Sequence, residues 1–331
     1  MEKRKFKKSE IAIAIVAIFI IFVFAFSYIM YQRSVMATLS EYYLSITTES
    51  LTKEEMIAEL ENRKKLGDVR QELPDYKFDF SFDEKEEFGM QVYYLNAQEK
   101  PKNSIIYLHG GSYVDQPVQW HWRFLNKLAN NTNAEIVIPL YPLAPNHTYL
   151  EAYDAVTKLY QDYITNHQDS NIILMGDSAG GGLALGLAEY FGTKNIVQPD
   201  RLILISPWVD ISMTNSQIEE FAGNDPMLNV EQLSACAESW AGGEDLKNWM
   251  LSPIYGDLSK LENVTIFVGT REILYPDCKL LAEKLEDQKV DYNLNVGIGL
   301  NHDYLLFPIS EANKAMTVIK KTINSIEDEK E

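Results

Sequence analysis

NIILMGDSAGGGLALGLAEYF, residues 171–191, is the stretch of sequence that decides the fold. Residues 171–175 are a near-continuous aliphatic run that predicts a buried strand, and the Gly- and Ala-rich residues 181–191 predict a helix. Between them, Gly176-Asp-Ser178-Ala-Gly180 has the G-x-S-x-G spacing of a tight strand-to-helix turn. Such a turn strains the backbone, tolerates only small neighbours and lifts its serine clear of the sheet. Ser178 is therefore the candidate nucleophile.

A second glycine motif predicts where negative charge is stabilised. His109-Gly110-Gly111-Ser112 directly follows the apolar run 104–108. Adjacent glycines let the backbone approach a substrate closely and present consecutive N–H donors. The turn at Ser178 aims the amide of Ala179 and the start of the helix at the same place. We therefore predict an oxyanion hole formed by Gly110, Gly111 and Ala179.

Apolar, strand-like runs alternate with helical stretches along most of the chain. Short Ile-, Leu- and Val-rich strands separated by helices predict a mostly parallel sheet covered on both faces, which is the α/β fold class. Residues 211–261 interrupt the alternation and predict either a pocket-shaping insertion or a surface excursion with its own small core. The predicted strands are residues 78–82, 91–95, 104–108, 135–139, 171–175, 201–206, 264–268 and 292–296.

A nucleophilic serine needs a histidine base and an acid that orients it. The G-x-S-x-G turn resembles that of the α/β-hydrolases, and in those enzymes the order along the chain is serine, acid, histidine. Of the 5 histidines, only His302 follows Ser178, so it is the predicted base, and His121, His147 and His167 are interpreted as ordinary loop or helix residues. Two acids follow strand 264–268. Glu272 is favoured because its loop position suits orienting an imidazole, whereas a helix-capping role accounts for Asp277.

The composition excludes several classes of partner. The chain has 331 residues and a formal net charge of -18, so nucleic acid would be repelled. Cys236 and Cys278 are the 2 cysteines, too few for a disulfide framework, and we interpret them as buried thiols. The sequence lacks the usual spacing of metal ligands, and we predict neither a metal nor another cofactor.

The N-terminus predicts a membrane anchor. Residues 3–8 are mostly basic and precede an uncharged apolar run, residues 11–31. At about 1.5 Å per residue, this run would form a helix of about 31 Å, the thickness of a bilayer's hydrocarbon core. The basic flank predicts a cytoplasmic N-terminus and a catalytic domain outside the cell membrane. A cleaved signal peptide, with secretion of the remainder, is the alternative, and a buried core helix is the third option.

Residues 101–319 resemble the hormone-sensitive-lipase-like esterases, the "HGGG" branch of the α/β-hydrolases. GDSAGG at 176–181 matches that family's turn, and HGGS at 109–112 matches except that Ser112 replaces the third glycine. The stretch from Asp225-Pro-Met-Leu through Ser252-Pro-Ile-Tyr-Gly is similar to the region that precedes the family's acid. The resemblance implies an α/β-hydrolase fold with a cap built partly from N-terminal helices. It also places the triad acid at the position of Glu272.

These observations predict a serine carboxylesterase acting on small-molecule or lipid esters. An amidase, formamidase or peptidase using the same triad is the alternative, and a non-catalytic binding module is a third. We predict that residues 1–33 form the basic stub and anchor, residues 34–75 a helical cap or linker, and residues 76–331 the catalytic domain.

Overall fold

The computed structural model describes residues 8–72 and 74–330. Within these residues the chain forms one eight-stranded sheet with α-helices on both of its faces. The strands are β1 (Phe82–Glu87), β2 (Met90–Leu95), β3 (Asn103–Leu108), β4 (Glu135–Pro139), β5 (Asn171–Asp177), β6 (Arg201–Ile205), β7 (Val264–Gly269) and β8 (Tyr292–Gly297). The helices are α1 (Lys8–Tyr31), α2 (Val35–Thr47), α3 (Lys53–Leu66), α4 (Gln119–Thr132), α5 (Tyr149–Asn166), α6 (Ser178–Lys194), α7 (Ile218–Ala222), α8 (Val230–Ala241), α9 (Tyr275–Asp287) and α10 (Ser310–Lys330).

The sheet is mostly parallel, which confirms the predicted α/β fold class. Its strand order is β1-β2-β4-β3-β5-β6-β7-β8, with β2 antiparallel to both of its neighbours and the other pairs parallel. The register aligns Leu108 with Gly176, and Gly269 with Gly297. Consequently the loops that follow β3, β5, β7 and β8 emerge at the same edge of the sheet.

The core lies on both faces of the sheet, because successive side chains of a strand point in opposite directions. In β3, Ile106 and Leu108 pack in the cluster with α5 and α6, whereas Ile105 and Tyr107 pack in the cluster with α4 and α10. Every residue of β3 to β7 is buried. Strands covered on both sides in this way have the continuous apolar sequences from which they were predicted.

The structure corrects the predicted strand at residues 78–82. Strand β1 begins only at Phe82, and residues 78–81 form a bend and coil. Their aromatic residues pack as a cluster instead, with Phe78 stacked on Phe82 at 4.2 Å and both rings against Trp122. Burial of aromatic rings produces a strand-like pattern of residues whether or not the backbone pairs.

Residues 34–75 are helical only in part. Helix α3 has a capping box at Thr52 and Glu55 and ends at Gly67, whose φ of +73° suits glycine. Helix α3 packs against α8, in the predicted insertion, whereas α2 packs against α1 and α10. The two helices of this region therefore lie against different parts of the molecule.

Within the described residues, no single helix meets the combined criteria of length and hydropathy for a membrane span; Ile15–Tyr31 and Val35–Thr47 meet them only together, across an 80° bend. Of the basic residues on which the predicted orientation depends, Lys3, Arg4, Lys5 and Lys7 lie outside the described residues. The anchor at residues 11–31 stays a prediction.

Helix α6, which begins at Ser178, carries a buried carboxyl group. Glu189 is 2% exposed, and among the described residues neither of its carboxylate oxygens has a hydrogen-bond partner. A Cβ at Gly256 would collide with this carboxyl group. Burial raises the pKa of Glu189 well above its ordinary value, and the nearby Asp257 raises it further. Glu189 is therefore protonated in the folded protein at a pH where it would be ionised in the unfolded chain.

This burial predicts a pH-dependent cost to stability. Because the pKa of Glu189 is higher in the folded than in the unfolded state, the folded protein loses stability as the pH rises above the unfolded value. Glu189→Gln cannot ionise, so we expect it to be more stable than wild type at pH 8, by about 1–3 kcal/mol, and equally stable near pH 4. Thermal melts at the two pH values measure this difference. A variant less stable than wild type at pH 8 would contradict the prediction.

Candidate active site

Ser178 occupies a strained turn between β5 and α6. Its φ of +50° lies in the left-handed region, which is unfavourable for a residue with a side chain. The turn is crowded, because a Cβ at Gly176 would collide with the carbonyl of Gly180, and a Cβ at Gly180 would collide with the carbonyl of Leu108. These contacts confirm the expectation that only small neighbours fit in the turn, and they restrict both positions to glycine.

The structure brings Ser178, His302 and Glu272 together. His302 Nε2 lies 2.9 Å from Ser178 Oγ, and His302 Nδ1 lies 2.5 Å from Glu272 Oε2. His302 and Glu272 are buried, and Ser178 is 6% exposed. With Nδ1–H donating to the carboxylate, Nε2 is free to accept the serine proton. This geometry is that of a serine, a base and an acid that orients the base.

Glu272 is held by two further donors. Its Oε1 accepts hydrogen bonds from Ser206 Oγ at 2.8 Å and from the amide of Gly269 at 2.5 Å. Ser206 Oγ also accepts from the amide of Asp303, at 3.1 Å, so it links the acid to the loop that carries the histidine. Ser206 was missed from the sequence, because a serine at a strand end has no distinguishing pattern.

Asp277, the other candidate acid, has different contacts. Its Oδ1 accepts a hydrogen bond from Asn215 Nδ2 at 2.7 Å, in the first turn of α9. Burial raises the pKa of Asp277 to about 6, and the Asn215 hydrogen bond opposes this effect. Within the described residues, the acid in contact with His302 Nδ1 is therefore Glu272.

The loop after β3 lies against the nucleophile. A Cβ at Gly110 would collide with Asp177 Oδ2 and would lie 3.0 Å from Ser178 Cβ. Gly111 has a φ of +119°, and a Cβ there would be strained against the carbonyl of Asp115. Glycine is thus required at position 110 because of the close approach, and at position 111 because of the backbone conformation. The structure places Gly110 beside Ser178, with Gly111 next in the same loop, and Ala179 is the second residue of α6.

A buried polar network around Asp177 lies against this loop. Asp177 Oδ1 accepts a hydrogen bond from Tyr107 OH at 2.5 Å, and His121 Nε2 lies 3.1 Å from Asp177 Oδ2. Burial by itself would raise the pKa of Asp177, but His121 and Tyr107 keep it below its ordinary value. His121, interpreted from the sequence as an ordinary residue, contacts the Asp177 carboxylate. The same carboxylate lies against Gly110.

Carboxyl groups surround the histidine. Asp303 Oδ2 lies 3.2 Å from His302 Nε2, on the side that faces Ser178. Burial would lower the pKa of His302, but the negative charges of Asp303, Glu272 and Asp225 outweigh this effect and raise the pKa above its ordinary value. Burial also raises the pKa of Asp303 well above its usual range, and the neighbouring Asp177 adds to this effect.

Asp225 ties the insertion to the acid loop. Its Oδ1 accepts from the amides of Met227 and Leu228, both at 2.9 Å, and its Oδ2 accepts from the amide of Ile273, also at 2.9 Å. Burial raises the pKa of Asp225 to about 6, although the nearby imidazole opposes this effect. The Asp-Pro-Met-Leu sequence was the available signal. It resembled the region that precedes the family's acid, but the partner next to Glu272 could be found only in three dimensions.

Among the described residues, no group of three or more His, Cys, Asp or Glu side chains is arranged to hold a metal ion. Cys236 and Cys278 are both buried and, in this part of the chain, unpaired.

Comparison with known proteins identifies the family. Residues 105–306 match the family model for the alpha/beta hydrolase fold. The chain is 30% identical over 244 residues to an esterase of Acinetobacter venetianus, covering 72% of this chain and 80% of that protein. It is 29% identical over 239 residues to a carboxylesterase/phospholipase of Mycobacterium tuberculosis, covering 69% of this chain and 64% of that protein.

A solved structure agrees with these sequence relatives. The crystal structure of a homologue of hormone-sensitive lipase from a metagenome library superposes with a TM-score of 0.75 at 25% identity, covering 88% of this chain and 98% of that chain. The family match, the esterase relative and this fold together show that the chain belongs to the α/β-hydrolase family, among the carboxylesterases similar to hormone-sensitive lipase.

Proposed function

We propose that this chain hydrolyses carboxylic esters through an acyl-enzyme on Ser178. Ser178 Oγ attacks the ester carbonyl while His302 Nε2 accepts its proton, and Glu272 orients the imidazole and stabilises its cation. The amides of Gly110, Gly111 and Ala179 stabilise the negative oxygen of the tetrahedral intermediate. His302 then protonates the leaving alcohol, and a water molecule, activated by the same imidazole, releases the acid.

One observation carries this proposal. Ser178 Oγ, the imidazole and the Glu272 carboxylate form a continuous chain of contacts of 2.9 and 2.5 Å. The serine stands on a strained turn, and Gly110 lies so close to it that a side chain at that position would collide with Asp177. A buried carboxylate, an imidazole and a strained serine are costly to bring together, and strain of this kind is characteristic of functional sites.

We also propose that α3 and α8 form a cap over this site. Trp240 of α8 stacks on Tyr113 at 4.5 Å, and Tyr113 follows the glycine loop after β3. Helix α3 packs on α8, and Lys53 forms an ion pair with Glu238 at 2.5 Å. Movement of the two helices would thus be transmitted to the loop that binds the oxyanion, as in enzymes whose lids select substrates.

The nucleophile assignment predicts the outcome of one substitution. Ser178→Ala removes the attacking oxygen, so we expect fluorophosphonate labelling to disappear and hydrolysis of p-nitrophenyl butyrate to fall at least about 10³-fold. In-gel fluorescence and steady-state rates measure the two effects. Labelling that persists in the variant would place the nucleophile elsewhere.

The same assay separates an esterase from an amidase. We expect wild type to hydrolyse the p-nitrophenyl ester much faster than the matched p-nitroanilide. Faster turnover of the anilide would instead favour the amidase or peptidase alternative. Activity toward neither substrate, with labelling intact, would restrict the proposal to the nucleophile alone.

The acid is tested with two isosteric variants. Glu272→Gln leaves the imidazole without its orienting charge, and we expect kcat to fall about 10³- to 10⁴-fold. Asp277→Asn is the matched control, because that carboxyl group is also buried but contacts Asn215. We expect its kcat to stay within about threefold of wild type. A larger loss in Asp277→Asn than in Glu272→Gln would reverse the assignment.

We further propose that residues 11–31 anchor the chain in the cell membrane, with the N-terminus cytoplasmic and the catalytic domain outside. The support is the length of the uncharged run and its basic flank. Several large side chains of α1, including Phe22, Phe24, Tyr28 and Ile29, are also more than half exposed. Such a surface favours contact with lipid. The ester substrates would then be extracellular or part of the cell envelope.

Protease treatment of intact cells tests this topology. We expect the catalytic domain to be digested while an epitope tag placed before Met1 stays protected. Permeabilised cells, in which the tag must also be digested, are the control. A catalytic domain that survives in intact cells would contradict the proposed location, and recovery of an untagged protein from the medium would favour the cleaved signal peptide.

A further inference from the structure

The segment between α1 and the catalytic domain contacts the two loops that carry the acid and the histidine. Arg33 is 5% exposed, although a long, charged side chain near an apolar helix would ordinarily face water or lipid headgroups. Its Nη1 donates a hydrogen bond of 2.7 Å to the carbonyl of Gly299, three residues before His302. The carbonyl of Tyr31 lies against Gly299 so closely that a Cβ there would collide with it.

Glu41 of α2 joins this contact to the acid loop. Its two carboxylate oxygens accept a bidentate pair of hydrogen bonds from Arg271, of 2.9 and 3.0 Å. Arg271 immediately precedes Glu272. Glu41 also forms an ion pair with Arg33. A planar fork on a carboxylate is the most directional ion pair available to proteins, so Glu41 fixes both the distance and the orientation of Arg271.

Aromatic stacking completes the arrangement. The guanidinium carbons of Arg33 and Arg271 lie 4.4 and 5.0 Å from the centroid of the Tyr31 ring. We call Tyr31, Arg33 and Glu41 the N-terminal clasp. Ser34, within the same segment, donates to the Glu311 carboxylate of α10 through its amide at 2.6 Å and its hydroxyl at 2.9 Å. The clasp is therefore attached to the domain at a third place.

The two loops that the clasp touches also contact each other. The amide of Arg271 donates to the carbonyl of Leu300 at 2.9 Å, and the amide of Gly299 donates to Thr270 Oγ1 at 2.8 Å. These are loops of β7 and β8, and β8 is an edge strand whose end is supported on one side only. The clasp lies against both loops from outside the sheet.

We propose that Arg33 and Glu41 are positioning residues for the reaction, which hold the loop of Glu272 and the loop of His302 in register through Arg271 and the Gly299 carbonyl. The inference rests on the proposed function of these two residues. The clasp itself does not touch the reacting atoms. Turnover therefore depends on a segment that is adjacent to the apolar helix, and the state of that helix can influence the site without a change in the substrate pocket.

The size of the expected effect follows from geometry. The contact between Glu272 and His302 is 2.5 Å, and displacement of either loop lengthens it. A misplacement of about 1 Å in an active site can cost about 100-fold in rate. Loss of one outer contact, with the loops still joined by their own backbone bonds, should cost less, about tenfold in kcat.

The test uses the full-length chain in detergent, with reactive sites counted by fluorophosphonate titration of Ser178. We expect Glu41→Gln and Arg271→Gln each to lower kcat per reactive serine about tenfold, with KM for p-nitrophenyl butyrate within about twofold of wild type. The double variant should lose no more than either single variant, because both remove the same contact. Additive losses, or unchanged kcat in the single variants, would overturn the proposal.

The pH profile separates positioning from simple loss of stability. The acidic limb of kcat/KM reports protonation of His302, whose pKa is raised by the carboxylates of Glu272, Asp303 and Asp225. If Glu272 moves away, that pKa falls, so the midpoint of the limb should move to lower pH in Glu41→Gln. An unchanged midpoint would overturn the proposal, since instability alone reduces the number of active molecules and not their titration.

The matched control breaks another Arg–Glu pair. Glu86 of β1 pairs with Arg70 at the opposite edge of the sheet from β8. Glu86→Gln should retain wild-type kcat and midpoint, and a loss equal to that of Glu41→Gln would overturn the specific role of the clasp. If Glu41→Gln does not fold, Arg271→Lys decides the question. Lysine keeps the charge without the bidentate fork, so a loss of about threefold supports the clasp and wild-type kcat overturns it.

Failure of the clasp and failure of the proposed function give different results. Wild type that is not labelled on Ser178 would contradict the proposed nucleophile. Wild type that is labelled, with variants that behave identically to it, would contradict the clasp alone.

Discussion

The hydrogen bond between Ser178 and His302 joins residues that are far apart in the chain, and it exists only because the strands end in register. Leu108 pairs with Gly176, and Gly269 pairs with Gly297, so the loops that carry the glycines, the nucleophile, the acid and the base begin at one edge of the sheet. A shift of one residue in any of these pairings would turn the strand's side chains to the opposite face and displace its loop. The continuous burial of the central strands on both faces makes such a shift costly. The strand register that buries the core is therefore also the register that positions the loops of the site.

Burial has a second consequence at this edge, because several carboxyl groups lie there with little contact with water. Four of these carboxyl groups lie within or beside the site: Asp177, Asp225, Glu272 and Asp303. Burying a charged group is unfavourable, and each carboxyl group is stabilised in a different way. Asp177 is held by Tyr107 and His121, Asp225 by three backbone amides, and Glu272 by Ser206, an amide and the imidazole. Burial raises the pKa of Asp303 instead. These contacts give the imidazole an environment that favours its cation, which is the form that develops during attack by the serine.

The N-terminal segment extends this arrangement beyond the sheet. Arg33 and Glu41 stand at the boundary between an apolar helix and the enzyme, and yet their contacts lead to the residues beside the acid and the histidine. Helix α3 instead packs against α8, whose Trp240 stacks on Tyr113. The region that resembles one helical cap in sequence thus has two attachments, one at the loops that follow β7 and β8 and one through α8 to Tyr113 in the loop that follows β3.

The sequence by itself determined the α/β class, the turn at Ser178, the glycine loop and the choice of His302, because each depends on local patterns: aliphatic runs, glycine spacing and order along the chain. It also favoured Glu272 over Asp277, but only from loop position. Ser206, Asp177, His121, Asp225 and the clasp could not be found in this way, because their partners lie on other elements and nothing in their neighbouring residues distinguishes them. Residues 78–81 are a case in which the local pattern was misleading. Their aromatic residues predicted a strand, but ring packing decided the conformation. Local sequence specifies which residues can do the chemistry, and the tertiary structure decides which of them meet, because contacts between distant segments depend on the packing of the whole sheet.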